Sequence, residues 1–207
     1  MNVTPEIIEH LSKDTILAQI LHLNIEIDEK NTWYSDKNIF TSLIRAIIYQ
    51  QLSVQSAAAI HQRFLDLFEN DITTEKIVNI NDETYKSIGV SRQKISYLKN
   101  LAQFATQNNL SFDYINTMSD DAIIKYLSQI KGIGVWTVQM LLIFDFKRPD
   151  IFPLLDLAIQ NAIVNLYEIE EKKGKVMLNK VEEIAKNWQP YRTFACLYLW
   201  AIKDSNP

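Results

Sequence analysis

Apolar residues recur every three or four positions along most of this chain, and that spacing favours a helical fold. One stripe consists of Phe40, Leu43, Ile44, Ile47 and Ile48, and further stripes of helical spacing lie at 123–130, 159–167 and 181–188. Such spacing places apolar side chains on one face of an α-helix, where they can pack against a core. The sequence therefore predicts an all-α fold of about eight to ten helices.

Residues that favour helix starts precede several of these stripes. Thr4 stands before Pro5, and Ser91 and Ser119 stand before two further predicted helices. The segment 136–146 (WTVQMLLIFDF) is apolar on nearly every side, which predicts a helix surrounded by other helices. The only alternating run, at 24–28, is too short to found a sheet.

Length and composition predict one folded, soluble domain. The chain has 207 residues, of which 47% are hydrophobic and 22% are charged. We expect a single domain over 1–207 with two helical lobes and a seam in the polar stretch 107–119. No uncharged apolar run approaches the roughly 18–20 residues of a membrane span, and the acidic N-terminal residues do not resemble a signal peptide. We therefore expect a cytoplasmic protein that does not associate with membranes.

Metal and disulfide chemistry is disfavoured by the residue counts. Cys196 is the only cysteine, which excludes an internal disulfide and a four-cysteine zinc or iron–sulfur site. The three histidines, at 10, 22 and 61, are far apart in the sequence, so a zinc site is not expected. The sequence predicts no required cofactor.

The net charge of −4 at first argues against a nucleic-acid ligand. The acidity is uneven, however. Residues 1–36 carry seven acidic and two basic side chains, whereas the rest of the chain carries 18 acidic and 19 basic ones. Because DNA affinity comes from local phosphate contacts, the overall charge does not exclude DNA binding.

Two of the four glycines stand between two predicted helices. Gly132 and Gly134 lie in LSQIKGIGVWT, after the stripe that ends at Ile130. A G-x-G turn leaves backbone N–H groups accessible at the start of the next helix, where a phosphate binds favourably. The alternative is an ordinary turn between two antiparallel helices.

The wider sequence resembles the helix–hairpin–helix DNA glycosylase superfamily, and within it the 3-methyladenine DNA glycosylase II family. Residues 130–144 (IKGIGVWTVQMLLIF) and 147–163 (KRPDIFPLLDLAIQNAI) resemble the hairpin and catalytic loop. Residues 43–64 (LIRAIIYQQLSVQSAAAIHQRF) resemble the N-terminal signature helix with its QQLS turn, and 88–102 (IGVSRQKISYLKNLA) the G-x-S-x-x-K segment. The blocks follow one another in the family's order.

The resemblance implies a two-lobed helical enzyme that flips an alkylated purine, such as 3-methyladenine or 7-methylguanine, out of duplex DNA and hydrolyses its glycosidic bond. The implied partner is damaged double-stranded DNA, and the implied state is a monomer. The signature helix begins near residue 39, so we expect the compact form of the family, without the N-terminal β-domain of larger relatives.

The resemblance places the catalytic carboxylate at Asp156. Asp156 also precedes the stripe at 159–167, which predicts a helix N-cap, and the two roles are compatible. Trp136 stands where relatives that also nick the strand carry a lysine, and Lys131 lies before the glycines. The resemblance therefore implies a monofunctional glycosylase, with Lys131 as a phosphate contact or a solvated charge.

Four side chains are expected to line a base pocket. Trp136 and Trp200 match the family's pocket tryptophans, and Tyr49 and Met140 are candidate neighbours. An N3- or N7-alkylated purine is cationic, so it stacks well on indole and leaves without a general acid. The alternative for all four is core packing; Trp33 and Trp188 are predicted core residues.

The remaining candidate residues concern contacts with DNA. By resemblance, Gln51 or Leu52 fills the gap left by the flipped base. Contacts with the DNA backbone are expected from four residues of the hairpin region: Lys131, Gly132, Gly134 and Thr137.

The family hairpin can also hold Na⁺ or K⁺ through backbone carbonyls. The corresponding residues here are Ser128, Ile130 and Ile133. Backbone ligands leave no side-chain signature, so the sequence neither supports nor excludes this cation.

Three alternatives remain open at this point. The first is a non-catalytic DNA-binding module with the same fold, for which Asp156 and the tryptophans would be unnecessary. The second is a helical protein-interaction domain, which the acidic composition favours and the hairpin disfavours. The third is a glycosylase for oxidised or mismatched bases, against which the missing hairpin lysine and missing iron–sulfur cysteines weigh.

Overall fold

A computed structural model describes residues 1–22 and 38–205, with side chains described up to residue 202. Within these ranges there are thirteen α-helices and no β-strand, which confirms the all-α prediction. The helices are α1 (Pro5–Leu11), α2 (Ala18–Leu21), α3 (Ile39–Tyr49), α4 (Val54–Leu67), α5 (Thr74–Asn79), α6 (Asp82–Ser87), α7 (Arg92–Gln107), α8 (Phe112–Asn116), α9 (Asp120–Leu127), α10 (Val135–Phe144), α11 (Leu157–Leu166), α12 (Gly174–Lys186) and α13 (Arg192–Ser205).

The predicted number of eight to ten helices was too low because several helices are very short. Helices α2, α5, α6 and α8 have four to six residues each, too few to produce a repeating apolar stripe. Two of them begin at side-chain caps, Thr73 for α5 and Asn81 for α6. The alternating run at 24–28 and Trp33 lie outside the described residues.

The predicted caps are confirmed by their hydrogen bonds. The hydroxyl of Thr4 accepts from the backbone N–H of Ile7 at 3.4 Å and begins α1. In the same way, Ser91 begins α7 and Ser119 begins α9. Each cap satisfies one of the N–H groups that the first turn of a helix leaves without a partner.

The chain divides into two compact units. Unit 1 comprises Met1–Trp33 with Gln139–Pro207, and unit 2 comprises Tyr34–Val138. The seam predicted at 107–119 is therefore misplaced, because this stretch lies within unit 2 and contains α8. The boundary instead falls inside α10, whose continuous apolar sequence gave no sign of a division.

Unit 1 is built around α11 and α13. Helix α11 packs against α12 and α13, and α2 packs against α13. Their apolar faces form one core that includes Leu11, Ile163, Val181 and Leu199, and it encloses Trp188, which is fully buried. The prediction of Trp188 as a core residue is confirmed.

A half-buried carboxylate joins the N-terminal segment of unit 1 to its C-terminal helices. Asp14 Oδ2 accepts hydrogen bonds from the Tyr167 hydroxyl at 2.6 Å and from Trp188 Nε1 at 2.9 Å. Its Oδ1 accepts the backbone N–H groups of Ile16 and Leu17, each at 3.1 Å. Burial alone would raise the pKa of Asp14, but these hydrogen bonds together hold it below its usual value.

Unit 2 is built around α7. Helices α3, α5 and α6 pack against α7, and α4 packs against α3. Three aromatic side chains, Phe64, Phe68 and Tyr85, fill the space beneath α4, and the ring centroids of Phe64 and Phe68 are 4.7 Å apart. The Tyr85 hydroxyl donates to the Ile77 carbonyl at 2.8 Å, so the polar end of this buried ring is satisfied.

Most of α10 is buried, as its sequence predicts. Val138, Leu141, Leu142 and Ile143 have at most traces of exposed surface. Its exposed residues, Val135 and Trp136, lie in the first turn, and Gln139 and Phe144 are half-buried. Among the described helices, none combines the length and apolarity that crossing a bilayer requires.

We expect Asp14→Asn to lower the free energy of unfolding at pH 7 by about 1–3 kcal/mol, because a neutral amide replaces a charged acceptor. The folded pKa of Asp14 lies below its unfolded value of about 4. The stabilisation is therefore complete above about pH 4 and is lost as the pH falls through the folded pKa. Urea unfolding from pH 7 downward should show the gap between parent and variant shrinking below about pH 4.

Asp113→Asn, at an exposed position on α8, is the matched control and should change stability little at any pH. A gap for Asp14→Asn no larger than that of the control would show that the cluster does not stabilise the fold.

Candidate active site and DNA-binding turns

Asp156 occupies the N-cap of α11 in unit 1 and is 92% buried, with a relative exposure of 8%. Its Oδ1 accepts the backbone N–H of Ile159 at 2.9 Å and the indole Nε1–H of Trp200 at 3.2 Å. The helix-capping role predicted from the sequence is confirmed. The same contacts fix the carboxylate at the positive end of a helix, where a negative charge is favoured.

Trp200 lies on α13 and is half-buried. Its indole stacks on the ring of Phe144, with centroids 5.8 Å apart and planes inclined by 28°. The sequence predicts that this side chain stacks on a base, but it gives no sign of the hydrogen bond that Trp200 donates to Asp156. Nothing in the local sequence links the two residues, which are 44 positions apart.

Two glutamines hold the loop that leads into Asp156. Gln139 Nε2 donates to the Phe152 carbonyl at 3.2 Å, and Gln160 Nε2 donates to the Leu154 carbonyl at 2.7 Å. These carbonyls flank Pro153 on either side. The loop backbone is thus fixed by side chains from α10 and α11, and neither glutamine was expected to have this role.

The beginning of the same loop is held by α13. The guanidinium of Arg192 makes two hydrogen bonds to the Asp150 carboxylate, Nε to Oδ1 at 2.7 Å and Nη2 to Oδ2 at 2.9 Å. The fully buried Thr193 hydroxyl donates to the Arg148 carbonyl at 2.7 Å and accepts the N–H of Ile151 at 2.9 Å. These contacts were not predicted either, although their residues stand in two short segments of the sequence, 148–150 (RPD) and 191–193 (YRT).

The thiol of Cys196, fully buried in unit 1, carries no chemistry here. Burial raises its pKa strongly, and the negative charge of Asp156 raises it further. The thiol is therefore neutral. Met140, a predicted pocket residue, is buried on α10.

The hairpin turn, Lys131–Gly134, lies in unit 2. Gly132 has a φ of 104°, and a Cβ atom at this position would lie 2.3 Å from the ring of Tyr97. The turn therefore needs glycine here for two reasons, backbone conformation and space. Gly134 has open space around it, and Lys131 is exposed.

Two other predicted residues lie where α10 begins. Trp136 is 40% exposed. Thr137 is buried, with 6% exposure. Its backbone N–H belongs to the first turn of α10, where N–H groups lack helical partners, and this is the group that could face a phosphate.

The QQLS turn, Gln50–Ser53, connects α3 to α4 in unit 2. Gln51 and Leu52, the two candidates for insertion into the duplex, are both exposed. Gln51 has a φ of 57°, in the left-handed region that few residues other than glycine adopt. Ser53 caps α4 by accepting the N–H of Ser56.

Gln50 and Lys94 connect this turn to its surroundings by hydrogen bonds, and neither role was predicted from the sequence. Gln50 Nε2 donates to the Gly132 carbonyl at 2.9 Å. Lys94 Nζ donates to the Ile48 carbonyl, near the C-terminal end of α3, at 2.8 Å, and burial lowers the Lys94 pKa. The three sequence blocks at 43–64, 88–102 and 130–144 therefore meet in unit 2.

Tyr49 lies on α3 between two basic residues. The guanidinium carbon of Arg45 lies 4.9 Å from the centre of its ring, and the His61 ring meets it edge-on at 6.0 Å. Burial, and then the charge of Arg45, lowers the pKa of His61 to about 4. His61 is therefore neutral at neutral pH, and Arg45 supplies the positive charge beside Tyr49.

Residues 44–190 match the sequence profile described as HhH-GPD superfamily base excision DNA repair protein. The chain belongs to this superfamily. The match covers the QQLS turn, the hairpin and Asp156.

Individual relatives agree with this assignment. The chain is 38% identical to DNA-3-methyladenine glycosylase 1 of Schizosaccharomyces pombe, over 79% of this chain and 72% of the relative. It is similar to the crystal structure of a DNA-3-methyladenine glycosidase from Bacillus halodurans, with 31% identity, a TM-score of 0.78, and coverage of 95% and 88% of the two chains. A 3-methyladenine DNA glycosylase of S. pombe in complex with abasic DNA matches with 29% identity, a TM-score of 0.76, and coverage of 96% and 97%.

The two hairpin glycines provide a matched pair of substitutions. We expect Gly132→Ala to lower the free energy of unfolding by about 2–4 kcal/mol, because it combines a positive φ with a steric clash against the Tyr97 ring. Gly134→Ala adds a methyl group in open space and should change stability by less than about 1 kcal/mol. Thermal or urea unfolding of the two variants measures this difference, and equal stabilities would mean that the Tyr97 contact does not constrain the turn.

Proposed function

We propose that this protein is a monofunctional DNA glycosylase that hydrolyses the N-glycosidic bond of alkylated purines, 3-methyladenine and 7-methylguanine, in duplex DNA by base flipping. The observation that carries the proposal is the buried carboxylate of Asp156, held by the first turn of α11 and by the indole N–H of Trp200. The names of the relatives support the substrate class.

The proposed chemistry depends on a fixed negative charge. Breaking the bond between purine and sugar builds positive charge on the sugar ring, and a carboxylate that does not need to reorient stabilises that charge. Asp156 would also orient the attacking water or accept its proton. The side chains that hold the loop, Gln139, Gln160 and Arg192, would keep the carboxylate in place.

The leaving group decides which further groups the reaction needs. A 3-methyladenine or 7-methylguanine base is already cationic, so it departs without protonation by a general acid. No histidine lies in the segment 128–160, which agrees with such a substrate. Trp200 would offer the base an electron-rich ring, and the roles of Trp136, Tyr49 and Met140 as base contacts remain predictions.

The proposal includes no lyase step. Such a step requires an amine that forms a Schiff base with the sugar. In the hairpin, Trp136 takes the position of that amine, and Lys131 precedes the glycines. The monomeric state and the cytoplasmic location also remain predictions.

A monovalent cation in the hairpin is a further part of the proposal. The Ile130 carbonyl accepts the N–H of Ile133 at 2.9 Å, and a carbonyl oxygen has a second lone pair that can coordinate an ion. Ser128 Oγ, two residues earlier, is buried without a hydrogen-bond partner. The backbone of Ser128, Ile130 and Ile133 would hold Na⁺ or K⁺, which would supply positive charge toward a phosphate. Among the described residues, no group of His, Cys, Asp or Glu side chains could hold a metal ion.

Asp156→Asn tests the proposed function. The amide keeps the shape of the side chain but removes its charge, so single-turnover release of methylated purines from duplex DNA should fall by roughly a thousandfold or more. Affinity for the same duplex should persist. Base release by the variant at the parent's rate would contradict the assignment of Asp156, and no release by the parent would favour the non-catalytic DNA-binding module.

Trp200→Phe separates two roles of this side chain. Phenylalanine keeps an aromatic ring against Phe144 but loses the donor to Asp156, so the chemical step should slow by roughly 10- to 100-fold. If the hydrogen bond dominates, the loss is the same for cationic 7-methylguanine and neutral hypoxanthine. A loss confined to the cationic base would instead show that stacking dominates. Rates are compared per folded molecule, with the folded fraction taken from thermal unfolding.

A further inference from the structure

The backbone of Gln51 is held in an unfavourable conformation. A φ of 57° is unfavourable for a residue other than glycine and persists only where the surroundings enforce it. No glycine lies in the QQLS turn to make this conformation easy. The contacts on either side of Gln51 must therefore hold it.

Gln50 provides such a contact, because its side-chain amide reaches the carbonyl of Gly132 in the hairpin turn at 2.9 Å. The acceptor is itself held firmly, since the Tyr97 ring fills the space beside Gly132. Lys94 holds the end of α3 just before the turn by its hydrogen bond to the Ile48 carbonyl. The conformation of the QQLS turn is therefore set by the hairpin on one side and by α7 on the other.

The turn has room to relax if this contact is lost. A cleft of about 310 Å³ lies beside it, and Gln51, Leu52 and Gln93 are among its lining residues. Without the Gln50 amide, Gln51 can return to a relaxed φ, and the turn can move into this space. The side chains of Gln51 and Leu52 would then point in a different direction from the one that they take when Gln50 contacts Gly132.

We propose that Gln50 is a positioning residue that couples the hairpin to the QQLS turn and so directs Gln51 and Leu52 into the duplex. This inference rests on the proposed function. Gln50 acts through its neighbours in the turn, because its amide is engaged with Gly132. Removing it should impair filling of the gap in the base stack while phosphate contacts at the hairpin persist.

The test uses two substitutions of Gln50 in the full chain. Gln50→Leu removes the donor and keeps a side chain of similar bulk, and Gln50→Glu keeps the shape but replaces the donor with a charged acceptor facing a carbonyl. Gln62→Leu is the control, because Gln62 is exposed on α4 and bonds only within its own helix, to Asp66. Thermal unfolding of each variant gives the folded fraction.

The first measurement needs no enzymatic activity. A duplex carries a stable abasic-site analogue with 2-aminopurine beside it, and its fluorescence reports insertion of a side chain into the gap. The parent and Gln62→Leu should change the fluorescence, and both Gln50 variants should lose most of that change. Affinity for an undamaged duplex, measured by anisotropy, should be the same for the parent, Gln50→Leu and Gln62→Leu, whereas the added charge of Gln50→Glu lowers it through repulsion by phosphate.

The second measurement is single-turnover release of 7-methylguanine from two duplexes, one pairing it with cytosine and one with thymine. The Gln50 variants should be about tenfold slower on the paired base. They should be less impaired on the mismatched base, because it costs less to unstack. A parent that releases no base would contradict the proposed function, whereas the fluorescence result would still test the role of Gln50.

Two results would overturn the inference. One is fluorescence and rates for the Gln50 variants that match Gln62→Leu. The other is a loss of affinity of Gln50→Leu for undamaged DNA as large as its loss of rate, which would make Gln50 a direct DNA contact.

Discussion

Asp156 Oδ1 accepts two hydrogen bonds at once, from the first turn of α11 and from the indole of Trp200. The backbone N–H starts the helix, and the indole N–H ties that helix start to α13. With two donors on one oxygen, the carboxylate cannot rotate freely about its Cβ–Cγ bond. These two hydrogen bonds to one oxygen therefore begin a helix, orient an aromatic side chain and fix a buried charge.

The loop that leads into Asp156 is also held in place by hydrogen bonds. Its carbonyls at Arg148, Phe152 and Leu154 each accept a hydrogen bond from a side chain of a surrounding helix. A loop fixed in this way loses little conformational entropy when the substrate binds and reacts. The charge of Asp156 is already in place before the substrate arrives. Such preorganisation is the main means by which a rigid protein stabilises a developing charge. Unit 2 uses a comparable arrangement, in which Tyr97 and Gln50 fix the hairpin and the turn next to it.

The sequence could predict features that depend on neighbouring residues. The caps at Thr4, Ser91 and Asp156 were predictable because a side chain three positions before a backbone N–H suffices to form them. The contacts of Gln50 with Gly132 and of Trp200 with Asp156 span 82 and 44 positions and depend on tertiary packing, which no local pattern encodes. The boundary within α10 was missed for the same reason, since it divides a helix that is uniformly apolar in sequence.

In the proposed reaction, a fixed carboxylate promotes the departure of a base that is already cationic, and no lyase step follows. The most direct measurement is chromatography of the bases that the unaltered protein releases from methylated duplex DNA, with borohydride added to a parallel sample. We expect free methylated purines, abasic sites in unbroken strands and no covalent protein–DNA adduct. Release of no base, or a trapped adduct with nicked strands, would contradict the proposed reaction.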